Sequence, residues 1–110
     1  MATRASVIFK EYGQPVMAIY KHWDGYPDNL GVKLKRIVSG GRLKNGLGIN
    51  DRVLGTAFNG WGCMFATVIA SLKDQPGDVY VCKIGDVGQQ GEDYVYEMDE
   101  VGNVTWKENN

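Results

Sequence analysis

Lys21-His22-Trp23-Asp24-Gly25-Tyr26-Pro27 is the stretch at which the chain changes its period. Before it, Val16 to His22 reads as a strand. After it, Leu30, Leu34, Ile37 and Val38 recur at i, i+4, i+7 and i+8, the apolar stripe of a helix. Asp24-Gly25 is a turn dipeptide, and Pro27 forces Tyr26 out of the helical region. Asp28 or Asn29 is predicted to cap the helix. This one junction gathers an imidazole, an indole, a carboxylate and a phenol, at the kind of chain edge where sites are built.

Outward from the junction, Val7-Ile8-Phe9 opens a first strand, and Tyr12-Gly13-Gln14-Pro15 turns it into the second. Val16, Ala18, Tyr20 and His22 share one face of that second strand, and Met17, Ile19 and Lys21 the other. Both faces are partly apolar, so the core side stays open. Gly40-Gly41 ends the helix, and Arg42 to Gly48 reads as a glycine-broken loop. Asn50 or Asp51 is placed to cap a second helical stretch through Val53, Leu54, Ala57 and Phe58. Asn59-Gly60-Trp61-Gly62 interrupts it, and Phe65, Val68, Ile69 and Leu72 resume a strong helical face from Cys63. One bent helix from Asp51 to Lys73 is the alternative.

Pro76-Gly77 stops that pattern. Strands are predicted at Val79 to Ile84, Tyr94 to Met98 and Val104 to Lys107, with a polar, glycine-rich loop from Gly85 to Gly91 and a fraying tail from Glu108. The order ββ-α-α-βββ predicts an α+β domain over 1–110. Its antiparallel sheet would join the N-terminal hairpin to a C-terminal three-strand meander, with two or three helices on one face.

With 110 residues, 44% hydrophobic and 23% charged, the chain has an ordinary globular balance. A net charge of −1 argues against non-specific DNA binding. No apolar run approaches the ~20 residues that span a bilayer, and no signal-peptide core follows the N-terminus. The expected setting is therefore a cytoplasm, with no membrane partner. Cys63 and Cys82 lack the spacing of a zinc site, so no metal and no cofactor is expected. Three tryptophans and six tyrosines in so small a chain predict a homo-oligomer, a dimer through an edge of the C-terminal hairpin. The fifteen glycines include positions expected to need positive φ or a close backbone approach.

Taken together, Thr3-Arg4, His22-Trp23-Asp24-Gly25-Tyr26-Pro27, Asn59-Gly60-Trp61-Gly62-Cys63, Pro76-Gly77 and Gly91-Glu92-Asp93-Tyr94-Val95-Tyr96 resemble a family of small proteins encoded by phages and prophages. The family has no assigned function. The resemblance implies a setting, an accessory protein acting in a bacterial host cytoplasm, and no catalytic residue.

Two segments are candidates for a ligand site. His22, Trp23, Asp24 and Tyr26 read as a site rim, or as a turn in which Asp24 and His22 satisfy local backbone and Tyr26-Pro27 sets the helix entry. Asn59, Gly60, Trp61 and Gly62 read as backbone N–H groups offered to an anion beside a helix start, or as a tight turn with Trp61 in the core. Lys33, Lys35 and Arg36 form a solvated face or an anion-binding one. Asp24, Asp28, Asp86 and Asp93 would hold Mg²⁺ only if the fold gathered them. The leading function is a non-enzymatic binder of a small anionic, phosphorylated or nucleotide ligand that antagonises a host defence signal. An inhibitor of a host defence or transcription protein is second. A small hydrolase with His22 as base, oriented by Asp24, is third.

Overall fold

Residues 2–39, 41–44, 46–48 and 57–109 are described by a computed structural model. Its organising strand is β1, Ala5–Glu11. Ala5, Val7 and Phe9 are fully buried on one face, and Ser6 and Ile8 point to the other. Tyr12 and Gly13, both at positive φ, form the two-residue turn into β2, Gln14–Lys21. Such turns match the twist of the strands they join. The antiparallel register sets Val7 opposite Ile19 and Phe9 opposite Met17. This settles the face that the sequence left open: Met17, Ile19 and Lys21 lie on the helix side.

The remaining strands are β3 (Arg42–Lys44), β4 (Ala57–Asn59), β5 (Val79–Cys82), β6 (Tyr94–Met98) and β7 (Val104–Glu108). The main sheet has the order β5-β2-β1-β6-β7, and β3 and β4 form a separate parallel pair. The domain is α+β, as predicted, but the sheet is mixed. Strand β6 pairs with β1 in parallel, and β5 leaves the expected meander to pair antiparallel with β2 at the far edge. The chain from Lys83 to Asp93 therefore crosses two strands on the face away from the helices. Glu92 pins it there. Its buried carboxylate accepts the Ser6 hydroxyl at 2.5 Å and the N–H groups of Gly88 and Gln90, both at 2.6 Å. Asn109 donates to the carbonyls of Gly88 and Glu92, so the tail is tied down at that point rather than frayed.

Pro27–Gly31 is one π-wound turn leading into α1, Val32–Ser39. Neither Asp28 nor Asn29 caps it; Pro27 is the first helical residue, and Tyr26 precedes it in an extended conformation. Proline suits that position because its missing N–H would have no partner there. Helix α2 runs from Gly60 to Leu72, starting three residues before the predicted Cys63. Ala57 and Phe58, read as helical, belong to β4, and Arg42 to Lys44, read as loop, belong to β3. The predictions for Asn50, Asp51, Val53 and Leu54, and with them the bent-helix alternative, lie outside the described residues. Helices α1 and α2 pack on each other and on one sheet face, where Phe9 stacks on Phe65 at 4.5 Å and Leu30, Leu34 and Val68 are fully buried.

Two glycines in this frame should respond oppositely to alanine. A Cβ on Gly25 would lie 2.6 Å from Ala5 Cβ and 3.0 Å from the Thr3 carbonyl, so Gly25→Ala must lift the junction off β1. A Cβ on Gly62 would meet nothing. In urea unfolding, Gly25→Ala is expected to cost ~1–3 kcal/mol. Gly62→Ala, inside α2, is expected to gain up to ~1 kcal/mol. Equal effects would contradict the packing described.

Candidate functional site

The junction is held by a buried ion pair. Lys21, on the helix side of β2, and Asp78, just before β5, are each only 5% exposed in their side chains, with Nζ and Oδ2 2.6 Å apart. The other carboxylate oxygen of Asp78 accepts the Trp23 N–H at 3.0 Å, and its backbone carbonyl accepts the His22 N–H at 2.8 Å. Burial alone would raise the Asp78 pKa, but the hydrogen bond and charge of Lys21 and the Trp23 N–H outweigh it and hold the carboxyl below its ordinary value. Asp24 then turns the chain at φ 57°, a left-handed conformation that aspartate tolerates. Gly25 docks on β1: its N–H donates to the Thr3 carbonyl, and its own carbonyl accepts the Tyr96 hydroxyl at 2.7 Å.

Beside this pair lies an open cleft of about 450 Å³ between the junction, α1 and the C-terminal end of α2. Its apolar surface comes from Trp23, Ile37 and Leu72. Its charges come from Lys33 and Arg36 of α1 and from Asp24, Asp74 and the Lys21–Asp78 pair, with Ser71 and Gln75 on the α2 side. Lys33, Arg36 and Ile37 fall at i, i+3 and i+4, so one face of α1 presents them together. Neither Lys33 nor Arg36 forms an ion pair among the described residues. Trp23 is 43% exposed. The cleft thus offers a ring to stack on, two unengaged cations, and carboxylate and amide acceptors.

The predicted site residues divide. Trp23 and Asp24 line the cleft; His22 and Tyr26 do not. His22 turns to the opposite sheet face, where its Nδ1 lies 2.8 Å from the Tyr20 hydroxyl and its ring meets Trp23 edge-on at 4.9 Å. Tyr26 supplies the carbonyl that accepts the N–H groups of Asn29 and Leu30 at the helix start. Asn59, Gly60, Trp61 and Gly62 lie at the N-terminal end of α2, whereas the cleft lies at its C-terminal end, about 18 Å away for a helix of this span. There Asn59 accepts the Gly46 N–H at 2.8 Å, and Trp61 packs on Phe65 at 5.7 Å. The fold therefore does not bring the two predicted segments to one cleft.

Among the described residues, no three acidic, histidine or cysteine side chains group closely enough to hold a metal ion, and no three of Asp24, Asp28, Asp86 and Asp93 form such a group. Sequence reasoning missed Asp78 and Asp74. Asp78 follows Pro76-Gly77 and carries the ordinary signature of a turn; only its partner across 57 positions shows what it does. No protein-family model, no curated protein and no solved structure matches the chain.

The sign of the acid response follows from Asp78 and Glu92, whose carboxyls both lie below their ordinary values in the folded state. For Glu92, burial raises the pKa, and the Ser6 hydroxyl with the loop N–H groups more than offsets it. A depressed folded pKa contributes stability above the unfolded carboxyl pKa, at about 4. That contribution is lost as pH falls through the lower folded value. Unfolding free energy is therefore expected to be level from neutrality to about pH 5 and to drop below about pH 4. Asp78→Asn, which leaves the Lys21 ammonium buried without a partner, should lower the plateau by about 3 kcal/mol and make the acid loss shallower. A plateau within half a kcal/mol of wild type, on the order of error in such measurements, would contradict the role given to the pair.

Proposed function

We propose that the protein is a non-enzymatic binder of a small nucleoside phosphate, seated in the cleft beside Trp23. The observation that carries this is the pairing of a half-exposed indole with two cations, Lys33 and Arg36, that have no carboxylate partner among the described residues. A phosphate group would be held by Lys33 and Arg36, and a base would stack on Trp23. Asp24 and Asp74 would accept from sugar hydroxyls or from amino groups on the base. A purely anionic ligand would meet those carboxylates unfavourably, so a ligand with both an anionic end and hydrogen-bond donors fits better.

The placement of His22 favours binding over catalysis. Its imidazole is engaged with the Tyr20 hydroxyl and does not line the cleft. The hydrolase reading with His22 as base therefore has that base outside the cleft. The resemblance to phage-encoded accessory proteins supports a setting in which capturing a nucleotide antagonises a host defence signal.

Calorimetry with adenosine and guanosine monophosphates is expected to show binding to the wild type. Lys33→Ala and Arg36→Ala should each weaken it about tenfold, the worth of one charge-assisted hydrogen bond. Gly60→Val, at the other end of α2, should leave affinity unchanged in whatever fraction stays folded. Loss of binding in Gly60→Val with full binding in Arg36→Ala would move the site to the start of α2.

A further inference from the structure

The main sheet has two edges, and the chain treats them differently. At the β5 edge the His22 N–H bonds the Asp78 carbonyl. Ladder bonds recur at every second pair, so Val79 and Val81 turn their N–H and C=O groups outward. The chain itself takes up those of Val79. Its N–H donates to the Gly77 carbonyl at 2.8 Å, and its carbonyl accepts the Lys73 ammonium at 3.1 Å. A lysine held on an edge guards it against a further strand.

The β7 edge has no such guard. The Asp99 N–H bonds the Asn103 carbonyl at one end of the β6–β7 ladder, and the Asn109 N–H bonds the Asp93 carbonyl at the other. By the same alternation Thr105 and Lys107 bond β6, and Val104, Trp106 and Glu108 turn their N–H and C=O groups outward. Among the described residues, no side chain or loop takes up these groups. The strand holds no proline, and its register with β6 runs without a bulge. Trp106, at its centre, is 48% exposed.

We propose that this edge pairs with the β7 edge of a second copy, antiparallel about a two-fold axis at Trp106, so that two sheets become one. The strand is complementary to itself in that register. Trp106 faces the partner's Trp106, Val104 faces the partner's Glu108, and every outward backbone group of these residues gains a bond. On the helix side the two indoles meet, each backed by the Tyr94 ring that Trp106 already touches edge-on at 5.6 Å. On the other face Lys107 lies opposite the partner's Thr105, and the next residue across is the partner's Glu97. Lys107 forms no ion pair among the described residues, and the Glu97 side chain is 44% exposed. The short threonine leaves the ammonium free to reach that carboxylate, and no like charges stand directly opposite. An unrelated extended peptide would gain the backbone bonds without the indole pair or the lysine–glutamate row. The cleft beside Trp23 is lined by Lys21 of β2 and by Asp78 before β5, on the other side of β1, so the pairing leaves it open.

Sedimentation of the full chain at on the order of 100 µM, where a small edge-to-edge interface is populated, tests this. The wild type should run at twice 12.2 kDa. Trp106→Lys and Trp106→Glu, each setting two like charges on the axis, should each run at the single-chain mass. An equimolar mixture of the two variants should return to the dimer mass, because the two-fold register brings position 106 of one chain to position 106 of the other. Val81→Lys, on the β5 edge, should remain dimeric. Urea unfolding of each variant checks that the sheet survives. A wild type at the single-chain mass overturns the proposal. So does a dimeric Trp106→Lys, which moves the contact off β7, or a monomeric Val81→Lys, which moves it to β5. A mixture that stays monomeric overturns the register.

Discussion

One buried ion pair holds together the junction where β2, β5 and α1 meet. Lys21 sits at the end of a core strand, where an unpartnered ammonium would be strongly disfavoured. Asp78 neutralises it at 2.6 Å and, with its other atoms, grips the backbone of His22 and Trp23. The pair therefore fixes where β2 stops, where β5 starts, and which way the indole and imidazole leave the strand. Trp23 goes to the cleft and His22 to the opposite face. A buried pair of this kind adds little net stability over an apolar substitute, yet removing one partner is costly. Its contribution is geometric.

The crossover from β5 to β6 follows the same logic on the other face. A parallel β1–β6 pairing requires the chain to pass over two strands, and such a loop has few apolar contacts of its own. Glu92 supplies the anchor: a buried carboxylate with three hydrogen-bond donors ties the loop to Ser6 of β1. Asp93 and Tyr94 then hydrogen-bond the backbone of Arg4, closing the two termini of the sheet against each other. The Thr3-Arg4 and Gly91-to-Tyr96 segments, far apart in the chain, thus meet at one sheet end.

Local pattern made some of this legible. The α+β class, the N-terminal hairpin, the stripe of Leu30 and Leu34, and the buried face of Tyr96 and Met98 all follow from periodicity, because each is decided by residues a few positions apart. The partner of β5 was not legible. Val79 to Cys82 is equally apolar whether it pairs with β2 or with β6, and the choice rests on long-range packing. The start of α2 was misplaced because Gly60 and Gly62 are poor helix formers, and tertiary packing of Trp61 and Phe65 overrides them. At the cleft, Trp23 and Asp24 stand out in the sequence through the density of functional side chains at the junction. The orientation of His22 was not legible, since strand alternation alone left both faces open. Lys33 and Arg36 stood out as basic residues, but their convergence with Trp23 appears only once α1 is folded back beside the junction.

The proposed site concentrates ligand chemistry at the C-terminal end of α2, beside Trp23, and not at the glycine turn that begins the helix. Backbone and indole amide NMR spectra recorded during titration with adenosine monophosphate test it most directly. The expected shift changes centre on Trp23, Asp24, Lys33, Arg36 and Ser71 to Gln75, with the Trp23 indole N–H among the largest. Changes centred on Asn59 to Gly62, with Trp23 and Arg36 unmoved, would contradict it.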